Sequence, residues 1–323
     1  MVLVLSESTI EELLDLGSLV DVVGSALRKQ AEGSVERPER PHFPVGTDDD
    51  GKNAAGTAIA MPAYIHGEQY YVTKLVGVHG DNPDSGLPTV HAQIVLTDAE
   101  TGVPKAVAGG TTITNARTGC VGALAVRTFA PEAETVGIVG AGVQARWQAR
   151  AIATVTTLSD VRIYSPSESK RECATELTAE GIPARAVETS REAVEGADVV
   201  LTATTATEPV FPADALDAGT LVVAVGAFTE EMQELEPAVF EAAGGTFADV
   251  PAEAAETGDG LAAGLGVGDF VPFGAALAEG YTRKSDDEVV VVDSVGSATM
   301  DAAAGATVYR RALEEEVGTD VSL

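Results

Sequence analysis

The chain has 323 residues, 45% of them hydrophobic and 22% charged, a size and balance that predict two domains sharing one chain. Fifty acidic residues against twenty basic ones give a net charge of −30, which argues against binding to nucleic acid or to anionic membranes. The carboxylates are spread from Glu7 to Asp320, so they do not form an acidic tail. We interpret the charge as halophilic adaptation, because salt screens the self-repulsion of such a surface.

No stretch of the sequence approaches the roughly 20 apolar residues of a membrane-spanning helix, and the start of the chain lacks the basic region of a secretory signal. A cytoplasmic enzyme is therefore expected. Cys120 and Cys173 are far apart, which argues against a disulfide framework and a cysteine metal site. The four histidines are also scattered, so no metal site is predicted.

The first part of the chain has the pattern of an α+β domain. An amphipathic helix is predicted around Glu11–Gln30, and strand-like alternation occurs in Gln69–Val76 and His91–Leu96. We assign residues 1–118 to this domain. An Ala-rich helix, Ala298–Glu316, is expected to cross back to it, so that residues 298–323 complete it.

From Glu134 onward, short apolar runs alternate with amphipathic stretches, the rhythm of a parallel sheet with helices on its faces. The fold class is thus α/β: a Rossmann-type parallel sheet domain, residues 119–297, beside the α+β domain. The five glycines of Gly258–Gly268 indicate either a mobile segment or an inert surface loop. The predicted strands are Thr135–Val139, Val161–Tyr164, Ala184–Val187, Asp198–Thr202, Leu221–Val225 and Val289–Asp293.

A dinucleotide-binding motif follows the first of these strands. Gly140, Gly142 and Ala145 satisfy the pattern GxGxxA, and the segment opens a helix. Gly140 permits a tight turn, Gly142 lets the backbone approach a pyrophosphate, and Ala145 allows the helix to pack closely on the strand. The helix N-terminus then favours the negative charge of the pyrophosphate.

The end of the second strand bears on the choice between NAD and NADP. An acidic residue at this point would hold the ribose hydroxyls of NAD, but the chain has Ser165 and Ser167, followed by Lys170 and Arg171. These residues favour NADP(H) over NAD(H), although the two cations are also typical of an exposed helix turn.

Candidate substrate-binding residues lie in the first domain. Lys74 occurs within an apolar strand-like run, where a lysine requires an anionic partner. Lys74, Thr89 and Arg117 together are suited to fixing a carboxylate by charge-assisted hydrogen bonds. For any one of them alone, a structural ion pair is at least as good an interpretation.

These motifs, in this order along nearly the whole chain, resemble those of the ornithine cyclodeaminase and mu-crystallin family. They comprise Lys74, the turn Gly86-Leu87-Pro88-Thr89, Arg117, the glycine-rich motif and Ser294-Val295-Gly296. The resemblance implies a homodimer, with a substrate-binding and dimerisation domain and a Rossmann domain that holds the nicotinamide at the interdomain cleft. It also implies that Arg40, Lys74 and Arg117 hold a substrate carboxylate near Thr89, and that Lys74 serves as the catalytic proton-transfer group. The predicted cofactor-binding residues are Arg117, Thr118, Gly140, Gly142, Val143, Gln144, Ala145, Ser165, Ser167, Lys170, Ala203, Thr204, Val225, Gly226 and Gly296.

One position departs from the family pattern. Where cyclodeaminases and the related archaeal alanine dehydrogenases have an aspartate after the fifth Rossmann strand, this chain has Phe228. A phenyl ring cannot attract a proton, so release of ammonia from ornithine is disfavoured. Glu230 and Glu231 are interpreted as surface carboxylates rather than substitutes for that aspartate.

The predicted function is NAD(P)H-dependent reduction of a small imino acid, such as the cyclic ketimine pyrroline-2-carboxylate, to the amino acid. Two alternatives within enzymes are an alanine dehydrogenase and ornithine cyclodeaminase itself. An alternative of another class is a nucleotide-dependent binding protein without turnover. A binding protein would have no need of a proton donor such as Lys74, which favours the enzyme.

Overall fold

The fold is described from a computed structural model, which defines residues 1–47, 51, 53–279, 281, 283 and 285–322. In chain order, the strands are β1 (Val2–Leu5), β2 (Val35–Glu36), β3 (His42–Val45), β4 (Gly56–Ile65), β5 (Tyr70–Val78), β6 (Val90–Asp98), β7 (Pro104–Gly109), β8 (Thr135–Val139), β9 (Asp160–Tyr164), β10 (Ala184–Ala186), β11 (Val199–Thr202), β12 (Leu221–Ala224), β13 (Ala243–Ala248), β14 (Val271–Pro272), β15 (Val289–Asp293) and β16 (Thr319–Val321). The helices are α1 (Glu7–Leu13), α2 (Leu16–Ala31), α3 (Gly110–Phe129), α4 (Val143–Ile152), α5 (Ser169–Ala179), α6 (Ser190–Val194), α7 (Pro237–Ala242), α8 (Pro251–Ala254), α9 (Gly258–Ala262), α10 (Phe273–Glu279) and α11 (Ala298–Glu314).

The chain divides into two compact units. The first contains Met1–Asp15, Gly33–Arg117 and Ala298–Leu323, and the second contains Leu16–Glu32 and Thr118–Ser297. Leu323, the last residue of the segment predicted to complete the first domain, lies outside the described residues. Within the part of the chain that the structure describes, no helix is both long and apolar enough to cross a membrane.

The first unit is built on a mixed sheet with the strand order β16-β1-β7-β6-β5-β4-β2, and β3 pairs with β4. Side chains alternate along β5, so that Tyr70, Val72 and Lys74 are buried while Tyr71 and Leu75 are exposed. Helix α11 packs on β4, β5 and β6. The alternation therefore gives the sheet one buried face and one open face.

The second unit is built on a sheet of parallel strands in the order β10-β9-β8-β11-β12-β15-β13-β14. Strands β11, β12 and β15 are buried at every residue, as expected for a sheet with both faces covered. The order reverses between β8 and β11, which is the switch point where nucleotides bind in doubly wound folds. The α/β fold class predicted from the sequence is confirmed.

Several predicted elements differ from the structure. The amphipathic segment around Glu11–Gln30 forms two helices, α1 and α2, because the chain is extended at Leu14. Helix α2 belongs to the second unit, although the sequence placed it within residues 1–118. Its partner there is α10: a Cβ added at Gly274 would lie 1.9 Å from the Leu27 carbonyl oxygen.

The glycine-rich segment Gly258–Gly268 is neither wholly loop nor wholly exposed. Its first residues form α9, and Gly258, Asp259 and Gly260 are buried. Thr257 caps this helix, because its hydroxyl accepts a hydrogen bond from the Gly260 N–H. The interpretation as an inert surface loop is therefore wrong for this part of the segment, and its mobility stays a prediction.

Candidate active site

A buried ion group lies on the covered face of the first unit's sheet. Lys74 comes from β5, Arg117 from α3 and Asp301 from α11. The Lys74 Nζ is 2.6 Å from Asp301 Oδ2, and the Arg117 Nε is 3.0 Å from Asp301 Oδ1. All three side chains are almost completely buried, with exposed fractions of 2%, 6% and 0% for Lys74, Arg117 and Asp301.

The ion group carries an excess of positive charge, because one carboxylate faces two cations. Burial lowers the pKa of Lys74 from 10.5 to about 8, and the charge of Arg117 lowers it too, although Asp301 raises it. Burial raises the pKa of Asp301, but the charges of Arg117 and Lys74 outweigh that effect and hold it below its ordinary value. Asp301 is thus an anion at neutral pH, and Lys74 exchanges its proton close to neutral pH.

The other two predicted substrate-binding residues differ in their relation to this group. Arg40 is half-buried, and its charge is close enough to contribute to the lowered pKa of Lys74. Thr89 directly precedes β6, and its carbonyl oxygen accepts a hydrogen bond from the His79 N–H. Lys74 pairs with Ile94 in the middle of β6, so the structure places Thr89 toward one end of that strand pair.

The glycine motif lies at the carboxyl end of β8, at the switch point of the parallel sheet. Gly140 has a φ of +115°, and a Cβ there would lie 2.4 Å from the Ala203 carbonyl oxygen. Gly142 is the N-cap of α4 and has no side-chain cap. A Cβ at Gly142 would meet nothing within 4 Å, so the space in front of this helix terminus is open. Within α4, Val143 is exposed, Gln144 is half-buried and Ala145 is fully buried.

The remaining cofactor residues predicted at this edge are held together by a buried glutamate that sequence reasoning missed. Glu234 accepts hydrogen bonds from the N–H groups of Thr204 and Gly226, at 2.7 and 2.8 Å, and from the hydroxyls of Thr202 and Thr204. Ala203 precedes Thr204, and Val225 precedes Gly226, so the loops after β11 and β12 are fixed side by side. Burial nevertheless raises the pKa of Glu234 to about 7.

Further buried acids surround Glu234. Asp259 accepts hydrogen bonds from the N–H groups of Glu234 and Leu235, both at 2.8 Å. Asp249 accepts hydrogen bonds from the Gly296 N–H, at 2.9 Å, and from the Val295 N–H. The only signal in the sequence is a carboxylate next to apolar residues, which is too common to identify such a network.

Among the residues that the structure describes, there is no group of three or more His, Cys, Asp or Glu side chains arranged to hold a metal ion.

At the end of β9, Ser165 and Ser167 form a hydroxyl cluster with Ser169, in which the oxygens of Ser167 and Ser169 are 2.7 Å apart. Lys170 is buried in the first turn of α5, and its Nζ is 3.0 Å from Glu188 Oε2. Thr118, in α3, is also buried, and its carbonyl oxygen accepts a hydrogen bond from Gln148 of α4.

Phe228 follows Gly226 in the loop after β12 and is half-buried. Glu230 and Glu231 are exposed, in line with their interpretation as surface carboxylates. The buried carboxylate of this loop is Glu234, and both of its oxygens already accept hydrogen bonds from the loops after β11 and β12.

Comparison with known proteins agrees with this arrangement. A model of the ornithine cyclodeaminase/mu-crystallin family matches residues 1–316. The chain belongs to this family. It is 31% identical over 327 residues to an alanine dehydrogenase of Archaeoglobus fulgidus, with 99% of this chain and 98% of the relative covered. It is also 31% identical over 330 residues to a Delta(1)-pyrroline-2-carboxylate reductase of Bacillus cereus, with 99% of each chain covered.

A solved structure is similar over the same extent. The Delta(1)-pyrroline-2-carboxylate reductase of Thermococcus litoralis, in complex with NADH and L-proline, superposes with a TM-score of 0.90 at 29% identity, covering 99% of this chain and 100% of that one. Family membership and fold, predicted from the sequence, are thus confirmed.

Proposed function

We propose that this protein is an NAD(P)H-dependent reductase of small imino acids, with a cyclic ketimine such as pyrroline-2-carboxylate as substrate. The observation that carries the proposal is the buried ion group, where Lys74 and Arg117 face the single carboxylate of Asp301. A buried excess cation is costly unless an anion balances it. A substrate carboxylate is an anion of suitable size, and two of the relatives reduce an imino acid that carries one.

In the proposed site, Asp301 orients Arg117 through its Nε atom, which leaves the two terminal nitrogens to form a bidentate fork with the substrate carboxylate. Arg40 adds positive charge on the same side. Lys74, with its pKa near 8, gives a proton to the imine nitrogen. The reaction balances as one hydride added to carbon and one proton added to nitrogen.

The glycine motif fits a dinucleotide. The open space in front of Gly142, at the uncapped N-terminus of α4, suits a pyrophosphate. When bound, a reduced nicotinamide supplies the hydride. The residues that would hold the cofactor are those predicted from the sequence, from Thr118 through the glycine motif to Gly296. The preference for NADP(H) over NAD(H), predicted from Ser165, Ser167 and Lys170, remains a proposal.

A second candidate function is reversible deamination, which the similarity to the Archaeoglobus fulgidus alanine dehydrogenase favours. Phe228 argues against deamination, because a half-buried phenyl ring replaces the carboxylate that would attract a proton. The same residue disfavours ornithine cyclodeaminase activity. A binding protein without turnover would not require Lys74 at a pKa near 8.

We also propose that the protein is a homodimer in the cytoplasm. The open face and edge of the first unit's sheet expose large apolar side chains, including Phe43, Tyr71 and Leu75 at 53%, 37% and 41%. Apolar side chains on an open sheet face are typical of an interface between subunits. Light scattering coupled to size exclusion should give about twice the chain's 33.0 kDa, and the mass of one chain would contradict the dimer.

The function is tested by measuring oxidation of NADH and NADPH in molar KCl with three substrates in parallel. These are pyrroline-2-carboxylate, piperideine-2-carboxylate, and pyruvate with ammonium. Turnover of a cyclic imine with little from pyruvate is expected. Rapid amination of pyruvate would instead establish an alanine dehydrogenase, and turnover of none of the three would overturn the proposal.

A matched pair of variants tests the ion group within this assay. Lys74→Met should lower kcat/KM for the imine by roughly a hundredfold or more, because both the proton donor and a carboxylate contact are lost. Lys105→Met makes the same change on β7, where the lysine is partly exposed and 3.5 Å from Asp98. It should leave kcat/KM within about twofold of the wild-type value.

A further inference from the structure

One exposed carboxylate contacts both cations at the predicted adenosine end of the cofactor site. Glu188, two residues after β10, contacts Lys170 Nζ through Oε2 at 3.0 Å and Arg171 Nη2 through Oε1 at 2.9 Å. Lys170 is buried, and its Nζ is 5.6 Å from the centre of the Tyr164 ring. Glu188 has 65% of its side chain exposed. Lys170 is thus fixed beside β9, whereas Arg171 is half exposed and also pairs with Glu168, and the exposed Glu188 carboxylate can rotate into solvent.

This cluster lies where doubly wound folds recognise the adenosine ribose, at the end of the second strand of the motif. The hydroxyls of Ser165, Ser167 and Ser169 lie just before the two cations in the chain and can donate to a ribose hydroxyl or to a phosphate. The first turn of α5, which contains Lys170 and Arg171, adds the partial positive charge of a helix N-terminus. A 2′-phosphate therefore has donors and cations here, but Glu188 already occupies the cations.

We propose that Glu188 is an internal competitor of the NADP 2′-phosphate for Lys170 and Arg171, and that it thereby sets the choice between the two nucleotides. This inference rests on the proposed function, since it requires a dinucleotide on the glycine motif. NAD(H) binds without disturbing the cluster. NADP(H) must displace a carboxylate from both cations and bring a dianion close to it, which weakens NADP(H) selectively.

The Glu188 carboxyl group is ionised at neutral pH. The hydrogen bond and the charge of Lys170 hold the pKa of Glu188 below its ordinary value, and the charge of Arg171 adds to the effect. Since Lys170 is paired here, the two cations do not by themselves establish a preference for NADP(H). The preference depends on the free energy needed to displace the Glu188 carboxylate from the two cations.

The test compares Glu188→Gln with the wild type by fluorescence titration of NADH and NADPH in the same salt. The variant removes the negative charge but keeps the size of the side chain and one acceptor oxygen. We expect the ratio of the NADH Kd to the NADPH Kd to rise by roughly five- to tenfold. Competition by 2′,5′-ADP should strengthen in parallel, whereas competition by 5′-AMP should not, which separates the 2′-phosphate from the rest of the nucleotide.

Glu180→Gln is the matched control. Glu180 lies at the other end of α5 and pairs with Arg150, so this variant loses the same charge and also breaks an ion pair with an arginine. Its Kd ratio should stay at the wild-type value. In the double variant Lys170→Met with Glu188→Gln, the gain for NADPH should disappear.

The outcomes separate this inference from the proposed function. If the wild type binds NADH and the ratio does not change in Glu188→Gln, or changes equally in Glu180→Gln, the role of Glu188 is overturned while the cofactor site stands. If the wild type binds neither nucleotide, the proposed function fails and this inference fails with it.

Discussion

Asp301 is the residue that pairs with both buried cations, Lys74 and Arg117. It lies on α11, fully buried, with one carboxylate oxygen toward Lys74 and the other toward Arg117. Breaking a buried ion pair leaves an uncompensated charge, a change that typically costs about 3 kcal/mol or more. Removing Asp301 would leave two such charges, so its loss should be visible both in stability and in the titration of Lys74.

We therefore predict two effects of Asp301→Asn. Unfolding should become easier by about 3 kcal/mol in denaturant titrations. The pKa of Lys74 should fall, because the anion that raises it is gone. In the direction of reduction, kcat/KM decreases as pH rises through the pKa of the proton donor, which is about 8 in the wild type. In the variant this decrease should begin at lower pH.

Asp160→Asn provides the comparison for that experiment. Asp160 pairs with Arg162 and Arg185 at the surface of the second unit. Its replacement should change stability by less than about 1 kcal/mol and leave the pH profile in place. An Asp301→Asn profile that coincides with the wild-type profile would show that Lys74 is not the group that titrates.

The sequence predicted two members of this ion group and missed the third for a physical reason. Lys74 was conspicuous because a lysine in an apolar strand needs an anion. The anion comes from more than two hundred positions later in the chain, and only the packing of α11 on the sheet brings it there. Its signal was a single carboxylate within an Ala-rich helix, Met300-Asp301-Ala302, which periodicity alone does not distinguish from a surface residue.

At the scale of elements, the junction between β8 and α4 contains two glycines with different expected roles. Gly140 is expected to be needed for folding, and Gly142 for nucleotide binding. Gly140→Ala should destabilise the second unit, because φ is +115° and the added Cβ would lie 2.4 Å from a carbonyl oxygen. Gly142 has a φ of −83°, which any residue adopts, and open space around it. Gly142→Ala should therefore fold normally and still lose nucleotide affinity, by roughly tenfold or more, because the methyl group takes the space of the pyrophosphate.

Thermal melting and NADH titration distinguish these two expectations. The Gly140→Ala variant should show a lower melting temperature, and Gly142→Ala an unchanged one with a raised Kd. If Gly142→Ala binds NADH with the wild-type Kd, the pyrophosphate does not lie at this position.

The buried acid network at the same sheet edge predicts an unusual dependence of stability on pH. Burial raises the pKa of Asp259 from 3.8 to about 6, even though one carboxylate oxygen accepts two N–H groups. Because the folded chain binds this proton more tightly than the unfolded chain, the stabilisation is present below pH 3.8 and is lost as pH rises through about 6. At neutral pH, the ionised Asp259 therefore stabilises the fold less than its protonated form would.

Asp259→Asn should remove the loss of stability that ionisation of Asp259 causes at neutral pH. The amide oxygen can accept the same two N–H groups, and the amide nitrogen takes the place of Oδ2, which has no hydrogen-bond partner among the described residues. The variant should be more stable than the wild type by roughly 1 to 3 kcal/mol at pH 8, with little difference near pH 3. The same change at the exposed Asp269, which accepts a hydrogen bond from the Gly266 N–H, is the matched control. Denaturant titrations at both pH values measure the free energy of unfolding of the variant and the wild type. A variant that is less stable than the wild type at pH 8 would contradict the prediction.

The elements themselves were predictable where one physical signal dominated. Six strands of the parallel sheet were placed within one residue of their observed ends. The signal is clearest for β11, β12 and β15, because fully buried strands are continuous apolar runs rich in Val and Leu. Helix α3 was missed, since its threonines and glycines give weak helix propensity and tertiary packing decides its form. Strand β13 was missed for a similar reason, because Gly244 and Gly245 interrupt its apolar pattern.

For the whole molecule, the dominant property is the net charge of −30. Many of the few cations form surface ion pairs, such as those of Arg146 and Arg150 with Glu176. Surface pairs contribute little each, and they cannot balance thirty excess carboxylates. The long-range repulsion between those carboxylates thus remains as a destabilising field over the surface, and its range is set by the ionic strength.

This field makes stability dependent on salt in a testable way. The Debye length falls from about 10 Å at 0.1 M to about 3 Å at 1 M, so repulsion between separated carboxylates should be almost fully screened by molar salt. The melting temperature should rise by roughly 5 to 10 °C between 0.1 and 1 M KCl and then level off. Tetramethylammonium chloride at equal ionic strength should act equally well if screening is the cause, whereas a rise specific to K⁺ would indicate bound ions instead. A melting temperature that is flat or falls with salt would mean that the excess charge is not an adaptation to a saline cytoplasm, because the fold would then tolerate its own repulsion in dilute buffer.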